Sequence, residues 1–141
     1  MKILVDTNVF LDLLLKRSPF YEEDLKFFNN IKNKNHQIYI NAMQFRDIEY
    51  ALRKKIEDKN KLCIALNSIY QIVTKVIPLT ADDAINSIFD YKKDFENYML
   101  ACSCESAMLD CVVTNNKKDF KHETVKVFSV EEFNNITESS L

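Results

Sequence analysis

The chain has 141 residues, 47% of them apolar and 28% charged, a balance that supports one domain with a sizeable core and is short for two. It contains no glycine, which excludes a Walker loop, a GxGxxG dinucleotide turn and a GxSxG nucleophile elbow. A formal net charge of −2 argues against a protein that grips nucleic acid with its whole surface, although Lys32 and Lys34, Arg53-Lys54-Lys55 and Lys117-Lys118-Lys121 leave room for a local basic face.

The first element is Ile3-Leu4-Val5, uniformly apolar as a strand buried on both faces should be. Leu11 to Leu15 suggests a short helix that ends before Arg17-Ser18-Pro19, and Tyr21, Leu25, Phe28 and Ile31 recur at the spacing of a one-faced helix. Ile38-Tyr39-Ile40 is the second strand. Asn41 with Gln44 three later opens the next helix, with Phe45, Ile48, Leu52 and Ile56 as its stripe. Leu62, Leu66, Ile69 and Val73 mark another helix, and Val76-Ile77 a brief strand stopped by Pro78. Thr80 with Asp83 forms a capping box before Ile85, Ile88 and Phe89. A buried helix follows from about Phe95 to Ala107, then strands at Cys111 to Thr114 and Val125 to Phe128. Ser129 with Glu132 caps a last helix, and 137–141 is expected to be a frayed tail behind a domain of residues 1–136.

Strands alternating with helices predict a parallel sheet covered on both faces, with right-handed crossovers. Ligands collect beyond the carboxyl ends of such strands, where strand order reverses. Without glycine, tight turns must rest on Asn and Asp. No window reaches the ~18 uninterrupted apolar residues of a membrane span, and Asp6 and Asp12 interrupt the only N-terminal apolar run. The expected location is cytoplasmic. Cys63, Cys102, Cys104 and Cys111 follow neither a disulfide nor a zinc pattern and read as fillers of a reduced core.

The candidate acids are Asp6, Asp47, Asp94 and Asp119. Asp6 ends a buried strand, a costly place for a carboxylate unless something satisfies it. A metal ion could do so, or Asp6 could cap the first helix, a place Asn8 could take instead. Asp47 lies at the margin of its helix's apolar stripe, with Arg46, Glu49 and Arg53 on the solvated side. Asp94 and Asn97 share a helix face, from which Glu96 points away, and Asp94 could equally be an N-cap. Asp119 follows the fourth strand, where it could cap a turn or reach a metal.

Together these stretches resemble a known family. ILVDTNVFLD, INAMQFRDIEYALRK and DFENYMLACSCESAMLDCVVTNNKKDF, in that order, with VFSVEEF behind them, are similar to PIN domains, metal-dependent ribonucleases that include many bacterial toxins of toxin–antitoxin pairs. The resemblance implies an α/β domain of three layers, with a five-stranded parallel sheet in the order 3-2-1-4-5. It implies Asp6 as the first acid of a clustered site, Asp47 as the second, and Asp119 as another with Asn116 beside it. Thr7 or Thr114, or both, would hydrogen-bond the carboxylates or the substrate phosphate, with Asn8 alongside them at the substrate. Where the family usually has an acid, this chain has Asn97. Asn still offers a metal a neutral oxygen, and Asp94, one turn earlier, could compensate for the lost charge.

The implied cofactor is Mg²⁺ or Mn²⁺, hard ions that take carboxylate oxygens and water. The implied partners are RNA, an antitoxin protein and a second copy of the chain. His36 and His122 fall outside the matching blocks, which disfavours acid–base chemistry by histidine. One alternative is a degenerate PIN module that binds RNA or a protein without cutting, because Asn97 replaces a usual site acid. Another is a phosphotransferase or receiver-like domain phosphorylated at Asp6. It is disfavoured because Asn8 stands where a DxD motif needs its acid.

Overall fold

The computed structural model describes residues 1–139. Five parallel strands, β1 (Lys2–Val5), β2 (Gln37–Asn41), β3 (Lys75–Ile77), β4 (Cys111–Thr114) and β5 (Val127–Ser129), form one sheet in the order β3-β2-β1-β4-β5. The strand order implied by the sequence is the one observed. Side chains alternate along the central strands as the pleat requires. Ile3 and Val5, with Cys111 and Val113 beside them, face one core, and Leu4 and Val112 face the other.

The helices fill both faces. On the first, α1 (Thr7–Leu14), α2 (Tyr21–Asn33), α3 (Ala42–Leu52), α4 (Lys59–Ile72) and α7 (Val130–Ser139) contribute Phe10, Phe27, Ile48, Ile69 and Phe133. On the second, α6 (Phe95–Ser106) contributes Leu100 and Cys104, with α5 (Ala81–Asp90) packed outside it. The predicted caps form: Asn41 with Gln44, Thr80 with Asp83 and Ser129 with Glu132 each exchange side-chain and backbone bonds.

Several expectations are corrected. The first helix begins at Thr7 rather than Leu11, because Asp6 caps it directly, accepting from the Thr7 N–H at 2.7 Å. The apolar stripe of α5 faces out. Ile85, Ile88 and Phe89 are exposed, Phe89 at 80%, while Asp83 and Ser87 are buried. There the Ser106 hydroxyl donates to the Asp83 carboxylate and Ser87 to the Asp83 carbonyl, so hydrogen bonding orients this helix against its apolar periodicity. Cys104 and Cys111 fill the core, but Cys63 is exposed. Among the described residues three positions are left-handed, and only Asn35 of them is Asn; Lys16 and Met108 take the others at helix ends. Residues 137–139 are helical, and Thr137 is buried with its hydroxyl bonded to the Phe133 and Asn134 carbonyls. The rest of the expected frayed tail, 140–141, lies outside the described residues.

Among the described residues no helix is long and apolar enough to cross a membrane.

Candidate active site

The register Val5↔Val113 brings β1 and β4 to an end side by side, and the Asp6 N–H closes the last rung on the Val113 carbonyl at 2.9 Å. Asp6 and Thr114 therefore meet at the sheet's switch point. Asp6 is only 6% exposed. Its Oδ1 accepts from the Thr7 N–H, and its Oδ2 accepts from the Thr114 hydroxyl at 2.7 Å. The two readings of Asp6 are thus compatible, since it caps α1 and also faces a cleft. Burial pushes its carboxyl up to about 6. Thr114 and Thr7 oppose that, and Asp94 and Asp12 add to it.

That cleft holds about 220 Å³ and is lined by Asp6, Asp94, Glu96, Asn97, Asn116 and Asp119, with Thr7 and Asn8 at its edge. The acids come from three pieces of local structure, with Asp94 and Glu96 both at the start of α6. Asp94 caps α6, accepting from the Asn97 N–H at 3.0 Å. Asp119 closes a 3-10 turn, Lys117–Asp119, after β4. There Asn116 donates to one of its oxygens, and Lys93 stands 3.4 Å from the other. Thr114 lies beneath, fully buried, and also accepts from the Asn8 amide and the Asn116 N–H.

Asp47 does not line this cleft. It stands in an adjoining cavity of about 170 Å³ that shares Thr7, Glu96 and Asn97 with the first and is walled by Met43 and Leu100. Buried Gln44 also lines that cavity, donating to the Val5 carbonyl at 2.8 Å and to the Thr7 hydroxyl at 3.3 Å.

Glu96 joins the two cavities, contrary to the expectation that it points away from Asp94 and Asn97. It lies in the first turn of α6, where the chain has only just entered the helix from its Asp94 cap, and a long side chain there can reach both. It remains exposed, yet its carboxyl is pushed up to about 7, by partial burial first and then by the Asp47, Asp6 and Asp94 carboxylates. Helix spacing gave no signal for it; an acid one position before Asn97, where the family usually has an acid, is the signal that could have found it.

Asp12, the second acid of the opening stretch, is buried outside the cleft. The Asn115 amide donates to Asp12 at 3.0 Å and to Asp24 at 3.0 Å, and Arg17 stands 3.5 Å from Asp12. The Asn115 N–H also donates to the Asn8 side chain. This network ties α1 and α2 to the loop that carries Asn116 and Asp119. Asp24, fully buried on α2, is pushed up to about 7 by burial.

The donors lining the cleft are oxygens, chemically suited to a hard divalent cation. Their spacing is open: among the described residues no three His, Cys, Asp or Glu side chains are grouped closely enough to hold a metal ion. Asp6, Asp94 and Asp119 are each held by an N–H, a hydroxyl or an amide instead.

A parallel sheet in this order, with carboxylates gathered where its first and fourth strands end, defines a doubly wound α/β protein with an acidic cleft at its switch point. A model of the PIN domain matches residues 2–118, and the chain belongs to the PIN domain family, whose members are generally ribonucleases. Solved structures of the same fold include VapBC2 from Rickettsia felis bound to a DNA fragment from their promoter. That likeness has 16% identity and a TM-score of 0.67, and covers 92% of this chain and 98% of the other. FitAB bound to an IR36 DNA fragment matches at 17% identity and a TM-score of 0.69, covering 91% and 94%. VapBC-1 from nontypeable Haemophilus influenzae matches at 14% and 0.67, covering 93% and 99%. At these identities the likeness is one of fold.

The chain is also similar to human tumor necrosis factor alpha-induced protein 8, 25% identical over 100 residues, or 68% of this chain and 48% of that protein. The chain spans about half the length of the curated relatives it matches, and this likeness carries no functional argument.

Proposed function

We propose that the protein is a metal-dependent endoribonuclease that hydrolyses RNA phosphodiester bonds, and that it is the toxin of a toxin–antitoxin pair. The observation that carries the reading is the gathering of Asp6, Asp94, Glu96 and Asp119 around one cleft at the switch point of a PIN fold. Carboxylates that share one cleft repel one another, and a divalent cation relieves that repulsion. Asp6, Asp94 and Asp119 would hold Mg²⁺ or Mn²⁺, with Asn97 giving a neutral oxygen and Asp47 and Glu96 entering from the adjoining cavity. Such a cation supplies an activated water and neutralises charge on the phosphodiester.

The chain's own residues supply the positioning. Thr114 fixes one oxygen of Asp6 and the Thr7 N–H fixes the other, while Asn116 orients Asp119. Lys93 brings a positive charge to the cleft's rim, where it would attract the phosphate. Thr7 and Asn8, at the start of α1, would contact the substrate.

In the presence of Mn²⁺ the wild-type protein is expected to cleave single-stranded RNA. Asp6→Asn should lower the rate about 100-fold or more, the effect of losing several kcal/mol of charge stabilisation. Equal rates in the two proteins, followed by gel electrophoresis of a labelled strand, would overturn the reading.

The open spacing of the acids and the amide at Asn97 favour a second reading, a module that binds RNA without cutting it. Wild-type protein that binds but never cleaves, and that gains cleavage in Asn97→Asp, would select it. The antitoxin is proposed as a small protein partner. A second copy of the chain is proposed to cover Ile85, Ile88 and Phe89, an exposed apolar stripe with no partner in the fold. A monomeric mass in light scattering would remove that part.

A further inference from the structure

The series of cavities that begins at the acidic cleft does not end at the one holding Asp47. The cavity that holds Asp47 and Glu96 shares Arg46 and Asp47 with a third, of about 260 Å³, which continues outward to Tyr50 and Arg53. The three cavities thus adjoin in series, from Asp6 to the C-terminal end of α3. The far end of the series differs in character from its start. Arg46, expected on a solvated face away from Asp47, shares this cavity with it. Tyr50 is 56% exposed, with the Lys54 ammonium 4.4 Å and the Arg53 guanidinium 5.5 Å from its ring centre. Arg53 is engaged by Glu49 at 2.6 Å. Among the described residues Arg46, Lys54 and Lys55 have no carboxylate within ion-pair distance.

A large exposed aromatic ring among unpaired cations, leading into a cleft of acids, is the combination that takes up an unpaired nucleic-acid strand. The cations meet phosphates and the ring meets a base face, and stacking of this kind tolerates any base. Ring-bound cations are replaceable, because an exposed Lys over an aromatic contributes only about 0.5–1 kcal/mol. A base stacked on Tyr50 would free the Lys54 ammonium for the backbone.

We propose that Tyr50, with Arg46 and Lys54, is a docking platform for a single-stranded RNA segment whose neighbouring nucleotides run along α3 into the acidic cleft. The proposal rests on the RNA substrate proposed above and adds where, and in what form, the strand binds. A duplex cannot offer a base face to Tyr50, so the platform selects unpaired RNA.

The test uses the full chain carrying Asp6→Asn, so that the strand stays uncut, and a fluorescein-labelled ten-nucleotide RNA of mixed sequence read by anisotropy. Tyr50→Ala is expected to weaken binding about tenfold or more, and Tyr50→Phe to preserve it. Arg46→Ala and Lys54→Ala should each flatten the dependence of affinity on salt. The same sequence as a duplex should bind more weakly than the single strand. Circular dichroism of each variant checks that these exposed positions leave the fold unchanged. Equal affinity in Tyr50→Ala, no RNA binding at all, or a self-associated species lost in Tyr50→Ala would overturn the proposal, the last by assigning the patch to a protein. If wild type fails to cleave yet Tyr50→Ala still loses binding, the nuclease reading fails and the platform stands. If wild type cleaves and Tyr50→Ala leaves KM unchanged, the platform alone fails.

Discussion

In metal-free protein at pH 8, Asp6→Asn is expected to raise the melting temperature by roughly 5 °C, corresponding to about 2 kcal/mol. The folded Asp6 carboxyl holds its proton up to about 6, above its ordinary value of 3.8. Between those values the folded chain binds more protons than the unfolded chain, so stability falls as pH rises. This contribution is absent below about pH 4 and complete above about pH 6. The shift corresponds to about 3 kcal/mol, from which about 1 kcal/mol is subtracted for the weaker hydrogen bonding of an amide with Thr7 and Thr114. Asp24, pushed up to about 7, carries the same trend further. Wild type should therefore melt higher at pH 5 than at pH 8, and Asp6→Asn should flatten the lower part of that slope. Thermal unfolding across this range checks both; an Asp6→Asn protein less stable than wild type at pH 8 would contradict the account of its burial.

Asn97→Asp is expected to strengthen Mn²⁺ binding about tenfold or more. Asn97 lines both the cleft of Asp6 and the cavity of Asp47, so a carboxylate there adds a full negative charge facing both. Even at a partly screened separation of several Å, an added charge contributes more than the 1.4 kcal/mol that a tenfold change requires. Unchanged affinity would mean that the cation sits away from α6, leaving Asp6 and Asp119 as its holders.

The sheet was readable because each central strand carries an unbroken apolar run and two of the crossover helices open on a box of capping residues, Asn41 with Gln44 and Thr80 with Asp83. The order of strands came through the family resemblance, since composition cannot say which parallel strands are neighbours. Asp6, Asp94 and Asp119 were legible as acids at element ends. Glu96 was not, because helix periodicity describes a helix interior, whereas this side chain leaves from the first turn. Asn115 was missed for a different reason. Its role depends on Asp12 and Asp24, and no local pattern ties a loop amide to buried acids on two other helices. The outward turn of α5 was hidden likewise, because the hydrogen bond from Ser106 to buried Asp83 joins residues 23 apart in sequence, which no local pattern shows.

Calorimetric titration of Mn²⁺ into wild type and Asp6→Asn tests the central claim most directly, since it needs no knowledge of the RNA. Saturable binding to wild type that is lost in Asp6→Asn is the predicted result. Binding that is the same in both proteins, or absent from folded wild type at millimolar Mn²⁺ and also from Asn97→Asp, would contradict the claim that these acids form a cation site.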